Sequence, residues 1–262
     1  MTPTPADLKR IEAILRNCGS ILLDCRAAGG GQGDWIGSQF KAKADDLAHI
    51  FLVNALCEAF SGVPVVSEED VAVGPPCDGD HFIIDPIDGT ASFAHGFPGW
   101  VTQVAYISGG HPVMVGIYAP ASDEYFSAAR GVGAYCNGRR LRVDEPKGEA
   151  ESLIDNYPEP RGIALELSRA LHIPKYVESG SIALKICRIA DRSADIFVKD
   201  MSPRDWDVAA PMLVLAEAGG IVTDIEGVPL QLGSPQRRHQ GLVAAANTAI
   251  AKQAMTWLES RK

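Results

Sequence analysis

The order of the predicted helices and strands is the feature that most constrains the fold of this chain of 262 residues. Apolar residues recur at near-helical spacing over 5–28 and again over 45–60, which predicts two helices. Short runs rich in β-branched and aromatic residues come next, at 63–66, 82–84, 101–107, 113–118 and 124–128. Two helices followed by several successive strands are typical of an α+β arrangement with an antiparallel sheet.

The pattern changes after about residue 150. Predicted helices and strands then alternate: strands at 152–156, 194–198, 220–225 and 241–246, and helices at 161–171, 181–191, 206–218 and 247–260. Such alternation is typical of a layered α/β unit. We therefore expect an N-terminal α+β subdomain, 1–147, and a C-terminal α/β subdomain, 148–262, with Pro146-Lys147-Gly148-Glu149 as the candidate hinge.

Composition excludes several classes of protein. Acidic residues outnumber basic ones, 33 to 24, and no basic stripe is present, so we expect no nucleic-acid partner. No apolar run reaches the about 18 residues of a membrane span, and the start lacks the pattern of a secretory signal. Six cysteines without a Cys-x-x-Cys pair favour buried, reduced thiols and a cytoplasmic location.

The block Asp85-Pro86-Ile87-Asp88-Gly89-Thr90 follows an apolar strand and carries the main chemical signal. Asp85 and Asp88 can converge on one ion, and the Ile87 carbonyl between them is a ligand that hard cations accept. Gly89 allows close backbone approach, and Thr90 opens a turn or helix whose N–H groups can hold a phosphate. The block predicts Mg²⁺-assisted phosphoryl chemistry, the alternative being an Asx-turn with two capping aspartates.

Two further acidic clusters accompany this block. Glu68-Glu69-Asp70 follows a predicted strand, and Asp205-Trp206-Asp207 opens a predicted helix. Taken alone, the first is typical of a solvated loop, and Asp207 is typical of a helix N-cap.

Together, Glu68-Glu69, the Asp85–Thr90 block and Trp206-Asp207 with its Ala-rich helix resemble the inositol monophosphatase family, over nearly the whole chain. The resemblance implies a five-layer αβαβα sandwich, a metal site between the two halves, and frequent homodimers. It implies a first Mg²⁺ at Glu68, Asp85 and the Ile87 carbonyl, and a second at Asp85, Asp88 and Asp207. A third, weaker ion near Glu68 and substitution by Mn²⁺ are also implied.

The resemblance further implies in-line attack by a metal-activated water on a phosphate monoester. Thr90 and an upstream acid would position that water; by spacing the acid is Asp45, with the adjacent Asp46 left open. The backbone N–H groups of Gly89 and Thr90 would bind the phosphate.

The substrate is less constrained. An acidic residue shortly before Trp-Asp reads sugar hydroxyls in inositol phosphatases; here that position falls on Lys199 or on Asp200, depending on the direction of counting. Ser181 and Lys185 are more similar to the 3′-phosphoadenosine phosphatase branch, although Lys185 also fits a charge on a helix surface. Arg237-Arg238-His239 is typical of a solvated loop.

The leading hypothesis is a phosphatase of a small sugar, polyol or inositol phosphate. The alternatives are a nucleotide 3′-phosphatase, a phosphatase of histidinol phosphate, fructose bisphosphate or a specialised metabolite, and a non-catalytic binder of a phosphorylated ligand. The candidate substrate residues are Asp88, Gly89, Thr90, Ser181, Lys185, Lys199, Asp200 and Asp207, and the candidate catalytic residues are Asp45, Glu68 and Thr90.

Overall fold

The computed structural model describes residues 3–31, 33–36, 39–70, 79–143, 148–233 and 238–261, with the backbone alone at 34–36 and 39–42. The helices in these ranges are α1 (Pro5–Ala27), α2 (Lys43–Ala59), α3 (Thr90–Ala94), α4 (Gly162–Ala170), α5 (Ile182–Ala190), α6 (Asp205–Ala218) and α7 (Thr248–Glu259). The strands are β1 (Gly33–Ile36), β2 (Gln39–Ala42), β3 (Val65–Ser67), β4 (His81–Asp88), β5 (Val101–Ser108), β6 (His111–Ala119), β7 (Glu124–Ala129), β8 (Gly133–Cys136), β9 (Arg139–Leu141), β10 (Ser152–Asp155), β11 (Lys175–Glu178), β12 (Ile196–Lys199), β13 (Ile221–Thr223) and β14 (Leu242–Ala245).

The larger sheet has seven strands in the order β3-β4-β5-β6-β7-β8-β9. Its neighbours are antiparallel except β3 and β4, which run parallel, so the antiparallel sheet expected from the sequence carries one parallel edge. Strand β4 is buried along its whole length, and its pairing with β5 shifts register between Asp85 and Asp88. That irregularity lies in the acidic block Asp85–Thr90, at the end of a strand that pairs with β3 on one side and β5 on the other.

The second sheet has five strands in the order β11-β10-β12-β14-β13. Strand β10 is parallel to both of its neighbours, whereas β14 is antiparallel to β12 and to β13. The α/β pattern expected after residue 150 is thus present, with a mixed sheet.

Helices cover both sheets and separate them. Helices α1 and α2 pack on one face of the large sheet and α6 on its other face; α5 packs on α6 and on the small sheet, and α4 and α7 cover the far side of the small sheet. This order confirms the five-layer αβαβα sandwich. It also shows that the predicted strand at 101–107 is a central, buried strand of the large sheet.

Several elements were not expected. Strands β1 and β2, for which no element was predicted from the sequence, pair with each other antiparallel, and β8, β9 and β11 are short additional strands. Among the described cysteines, Cys57 is exposed and Cys25 half-buried, so the expectation of buried thiols is correct only for Cys18, Cys136 and Cys187. Cys77 and two hinge residues, Pro146 and Lys147, lie outside the described residues, and the division into 1–147 and 148–262 stays a prediction. Among the described helices, none has both the length and the apolar composition needed to cross a bilayer.

Candidate active site

Three carboxylates meet where the large sheet faces the layer of α5 and α6. Asp85 and Asp88 come from the end of β4, and Asp207 comes from the first turn of α6. One carboxylate oxygen from each of the three lies within 4.8 Å of the others. The fold therefore brings Asp88 and Asp207 together, as the family resemblance implied.

The backbone of two helices holds two of these carboxylates. Asp88 accepts hydrogen bonds from the Ser181 hydroxyl at 2.5 Å and from the amides of Ile182 and Ala183 at 3.2 and 2.7 Å, all at the start of α5. Asp207 accepts the Arg204 amide at 2.6 Å. Since Arg204 is the N-cap of α6, Asp207 occupies the third helical position, and the alternative of Asp207 as the N-cap residue is wrong.

Asp85 is in a different situation. It is 1% exposed, and neither of its oxygens accepts a hydrogen bond from an N–H or hydroxyl group of the described residues. An ionised carboxylate buried without a compensating charge or donor is strongly unfavourable. The oxygen-only donor set and the unpaired, buried Asp85 therefore fit a divalent cation such as Mg²⁺.

The acidic groups raise one another's pKa values. Burial, followed by repulsion from Asp207, Glu69 and Asp45, raises the pKa of Glu68 to about 8. Burial and then the Glu68 and Asp88 charges raise the pKa of Asp85 well above its usual value, and burial with the charge on Asp88 raises that of Asp207 to about 7. Glu68 thus belongs to the same electrostatic cluster as the three aspartates, and a cation would relieve the mutual repulsion.

Thr90 connects the acidic block to helix α2. Its hydroxyl lies 3.3 Å from Asp45 Oδ1 and 3.0 Å from the Ile87 carbonyl oxygen. Asp45 is 2% exposed in the first turn of α2, whereas the adjacent Asp46 is exposed. The structure therefore places Asp45, of the two acids left open by spacing, beside Thr90. Gly89, before Thr90, adopts a left-handed backbone conformation with φ 93°, which favours glycine.

Comparison with known proteins agrees with this geometry. The sequence pattern of the inositol monophosphatase family matches residues 13–260. The chain belongs to the inositol monophosphatase family. It is 30% identical over 220 residues to inositol monophosphatase 1 of Bos taurus, covering 79% of this chain and 77% of the relative. Family membership makes the chain a phosphoric monoester hydrolase of a metal-dependent family.

Bacterial relatives carry a second name. The chain is 32% identical over 202 residues to a protein called Nus factor SuhB in Xylella fastidiosa, covering 72% of this chain and 70% of the relative. The crystal structure of the extragenic suppressor protein suhB from Bartonella henselae superposes with a TM-score of 0.82 and 29% identity, over 97% of this chain and 98% of that chain.

A second charged cluster lies beside the acidic site of this family member. Lys185 on α5 is fully buried, with its ammonium group hydrogen-bonded to Asn156 and to the Gly180 carbonyl, and 4.0 Å from Asp155. Lys199, at the end of β12, lies 3.9 Å from the same Asp155 oxygen. The alternative of Lys185 as a helix-surface charge is therefore wrong. Asp200, the other candidate for this position, is exposed.

This second cluster is electrostatically coupled to the first. Burial, and next the Lys199 charge, lower the pKa of Lys185 to about 7, while Asp155, Asp88 and Asp207 oppose that shift. Lys185 therefore lies close enough to Asp88 and Asp207 to interact with their charges, and Lys199 lies next to Lys185 through Asp155.

Sequence reasoning missed three polar residues that the fold brings to the site. His49 on α2 contacts the Ser67 hydroxyl at 2.8 Å, next to Glu68. His239 is buried against Asp205 at 3.0 Å, so the expectation of a solvated loop at Arg237-Arg238-His239 is wrong for His239; Arg237 lies outside the described residues. Gln103 is buried on β5, opposite Asp85. Each of these contacts joins residues distant in sequence, and no local pattern signals them.

Proposed function

We propose that the chain hydrolyses a small phosphate monoester with two or three Mg²⁺ ions held by Glu68, Asp85, the Ile87 carbonyl, Asp88 and Asp207. The observation that carries this proposal is the convergence of the three aspartates on one point, with the buried Asp85 carboxylate lacking any N–H or hydroxyl donor in the described chain. Bound Mg²⁺ would supply the Lewis acidity that activates water and stabilises the leaving oxygen. Mn²⁺, with similar oxygen preference, would substitute.

The protein groups around that centre have distinct roles in the proposal. The Thr90 hydroxyl donates its hydrogen toward Asp45 and the Ile87 carbonyl, which leaves its oxygen lone pairs free to accept a hydrogen bond from the attacking water. The proton of that water would then pass through Thr90 Oγ1 to the carboxylate of Asp45, which acts as the general base. Glu68 adds a further negative charge to the centre, and the amides of Gly89 and Thr90 would hold the phosphate.

The leading substrate class is a sugar, polyol or inositol phosphate, as the family suggests. The second candidate is an ester with a further anionic group, such as a nucleotide 3′-phosphate, and one observation favours it. Two lysine side chains, Lys185 and Lys199, face a single carboxylate, Asp155, beside the acidic triad. Where the sequence left Lys199 and Asp200 open, the contact of Lys199 with Asp155 favours Lys199 as the residue near the substrate.

The test is phosphate release from a panel of monoesters at fixed Mg²⁺: inositol 1-phosphate, 3′-phosphoadenosine 5′-phosphate, histidinol phosphate, fructose 1,6-bisphosphate and AMP. Asp85→Asn is the matched control, because it keeps the shape of the side chain and removes its charge. We expect at least one ester to be hydrolysed by the wild type and none by Asp85→Asn, with an unchanged circular dichroism spectrum for the variant.

The pattern of turnover distinguishes the hypotheses. Preference for inositol 1-phosphate that survives Lys199→Gln supports the polyol class. Preference for an ester with a second anion, lost in Lys199→Gln, supports the second class. No turnover with either Mg²⁺ or Mn²⁺ would contradict the proposal and favour the non-catalytic binder. A homodimer and a cytoplasmic location stay predictions alongside it.

A further inference from the structure

Gln103 occupies an unusual place for an amide side chain. It lies on the central strand β5, is 1% exposed, and forms no hydrogen bond through Nε2 or Oε1 to any described residue. Its neighbours on the same face of the large sheet, two residues away along β5 and across on β6, are apolar: Val101, Ala105 and Ile117. A buried amide without a partner is destabilising, so a purely structural role would be better served by an apolar residue.

Gln103 and Asp85 face each other directly. They are partners in the antiparallel pairing of β4 with β5, and side chains of such partners project from the same face with Cβ atoms about 4.5–5.5 Å apart. The next pair, Ile83 and Ala105, belongs to the core on the α6 side of the sheet, which assigns Asp85 and Gln103 to that side. No N–H or hydroxyl group of the described residues donates a hydrogen bond to Asp85, and the Gln103 amide has no hydrogen-bond partner among them.

The three aspartates differ in how they are supported. Asp88 has three donors at the start of α5, and Asp207 has the Arg204 amide. Asp85 has only the neighbouring Glu68 carboxyl, and two carboxyl groups share a hydrogen bond only while one of them carries a proton. Carboxylates that ligate metal ions are normally held by hydrogen bonds from surrounding groups. The one polar side chain directly across the ladder from Asp85 is Gln103.

We propose that Gln103 is the positioning residue for Asp85: the two side chains are not hydrogen-bonded to each other in this structure, and on cation binding the Gln103 Nε2 amide donates a hydrogen bond to the Asp85 carboxylate facing it and so holds that carboxylate toward the cation. The inference rests on the proposed function, since it assumes that Asp85 is a metal ligand. Gln103 itself contacts neither substrate nor cation in this arrangement, and acts through Asp85 alone.

The experiment measures Mn²⁺ binding by calorimetry on metal-stripped protein, together with the melting temperature without metal. Gln103→Met removes the amide at nearly constant volume, and Gln103→Leu does so with a different shape. The matched control is Thr102→Val, the adjacent buried residue, whose hydroxyl faces Cys18 on the other side of the sheet. We expect both Gln103 variants to bind Mn²⁺ about 10- to 100-fold more weakly, and Thr102→Val to bind it as the wild type does.

The metal-free melting temperature separates positioning from general damage. Because an unpaired buried amide is removed, Gln103→Met should melt no lower than the wild type without metal. Unchanged Mn²⁺ affinity in both Gln103 variants, beside a wild type that binds Mn²⁺ and hydrolyses a phosphate ester, would overturn the role of Gln103 alone. Weaker binding shared by Thr102→Val, or matched by a lower metal-free melting temperature, would also overturn it. A wild type that binds no Mn²⁺ would overturn the proposed function and this inference together.

Discussion

At the scale of single residues, the contacts of the Thr90 hydroxyl determine its orientation in the candidate site. Its one hydroxyl hydrogen faces two acceptors, Asp45 Oδ1 at 3.3 Å and the Ile87 carbonyl at 3.0 Å. Both contacts keep the hydroxyl oriented as a donor toward the protein, so its lone pairs face away from these acceptors. A side chain of the same shape without the hydroxyl would lose this arrangement and little else.

We therefore expect Thr90→Val to lower kcat by about 10²- to 10⁴-fold, the range for loss of positioned proton transfer. Thr90→Ser, which keeps the hydroxyl, should retain most of the activity. Mn²⁺ affinity by calorimetry should change little in either variant, because Thr90 supplies no metal ligand in the proposal. Activity retained in Thr90→Val would contradict this role of the hydroxyl, and equal loss in Thr90→Ser and Thr90→Val would show that the site requires the methyl group as well.

The sequence predicted the acidic residues of the site better than the residues that contact them. Asp85, Asp88 and Asp207 stand in local motifs, and the structure brings them within 4.8 Å. Gln103 and His239 stand in no such motif, since the partner of each is far away in sequence and meets it only in the folded sheet or at the start of α6. Lys185 was ambiguous for the same reason: only packing of α5 shows which of its faces is buried.

At the scale of elements, the start of α5 contacts the large sheet and the segment that follows it. Asp88 from the large sheet accepts its hydrogen bonds there, and Gly180 just before the helix lies against Gly99 and Ser92 of the N-terminal half. A Cβ atom on Gly180 would lie 2.3 Å from the Gly99 carbonyl oxygen and 2.2 Å from Ser92 Oγ, far inside contact distance.

Gly180→Ala should therefore force α5 away from Asp88 and destabilise the fold by about 1–3 kcal/mol, as overpacking of a filled site does. Gly148→Ala is the control, because a Cβ there would meet nothing within 4 Å and its φ is not positive. Urea denaturation measures both free energies of unfolding. If the two variants unfold at the same denaturant concentration, the close approach at Gly180 does not limit the packing of α5.

Long elements with strong periodicity were predicted well, whereas several short strands were missed. Helix α1, with Thr4 and Asp7 forming a reciprocal cap, runs almost over the range that spacing indicated. Strands β1 and β2 are four residues long each and, among the described residues, pair with each other alone, and β11 is a four-residue edge strand. Segments this short show too few residues of alternation to be distinguished from loops.

At the scale of the whole molecule, the fold places like charges between two sheets. The apolar layers on either side of α5 and α6 bury Asp85 and Asp88, and their common burial raises the pKa values of the acidic cluster. The resemblance to the family allowed the order of the layers to be predicted, because the family's motifs occur in the same order along this chain. The electrostatic consequence for stability depends on burial and distances, which no motif gives.

The raised pKa values determine the direction in which stability without metal changes with pH. Folding raises the pKa of Glu68 to about 8 and that of Asp207 to about 7, whereas unfolded carboxyl groups titrate near 4, so the folded state binds more protons between these values. These two groups therefore make their full contribution to the stability of the metal-free protein below pH 4 to 5, and that contribution falls as the pH rises to 7. Lys185, whose pKa is lowered to about 7, acts in the opposite direction, but only above that pH.

We expect the melting temperature in EDTA to fall from pH 5 to pH 7, and millimolar Mg²⁺ to raise it more at pH 7 than at pH 5, because the cation replaces the protons. Asp85→Asn should flatten both trends, since it removes one charge from the centre of the cluster. Differential scanning fluorimetry across this range, with and without Mg²⁺, measures them. A melting temperature in EDTA that stays constant or rises over pH 5 to 7 in the wild type would contradict the raised pKa values of the buried acids, because acids that bind protons more tightly in the folded state must lose stability as the pH rises through this range.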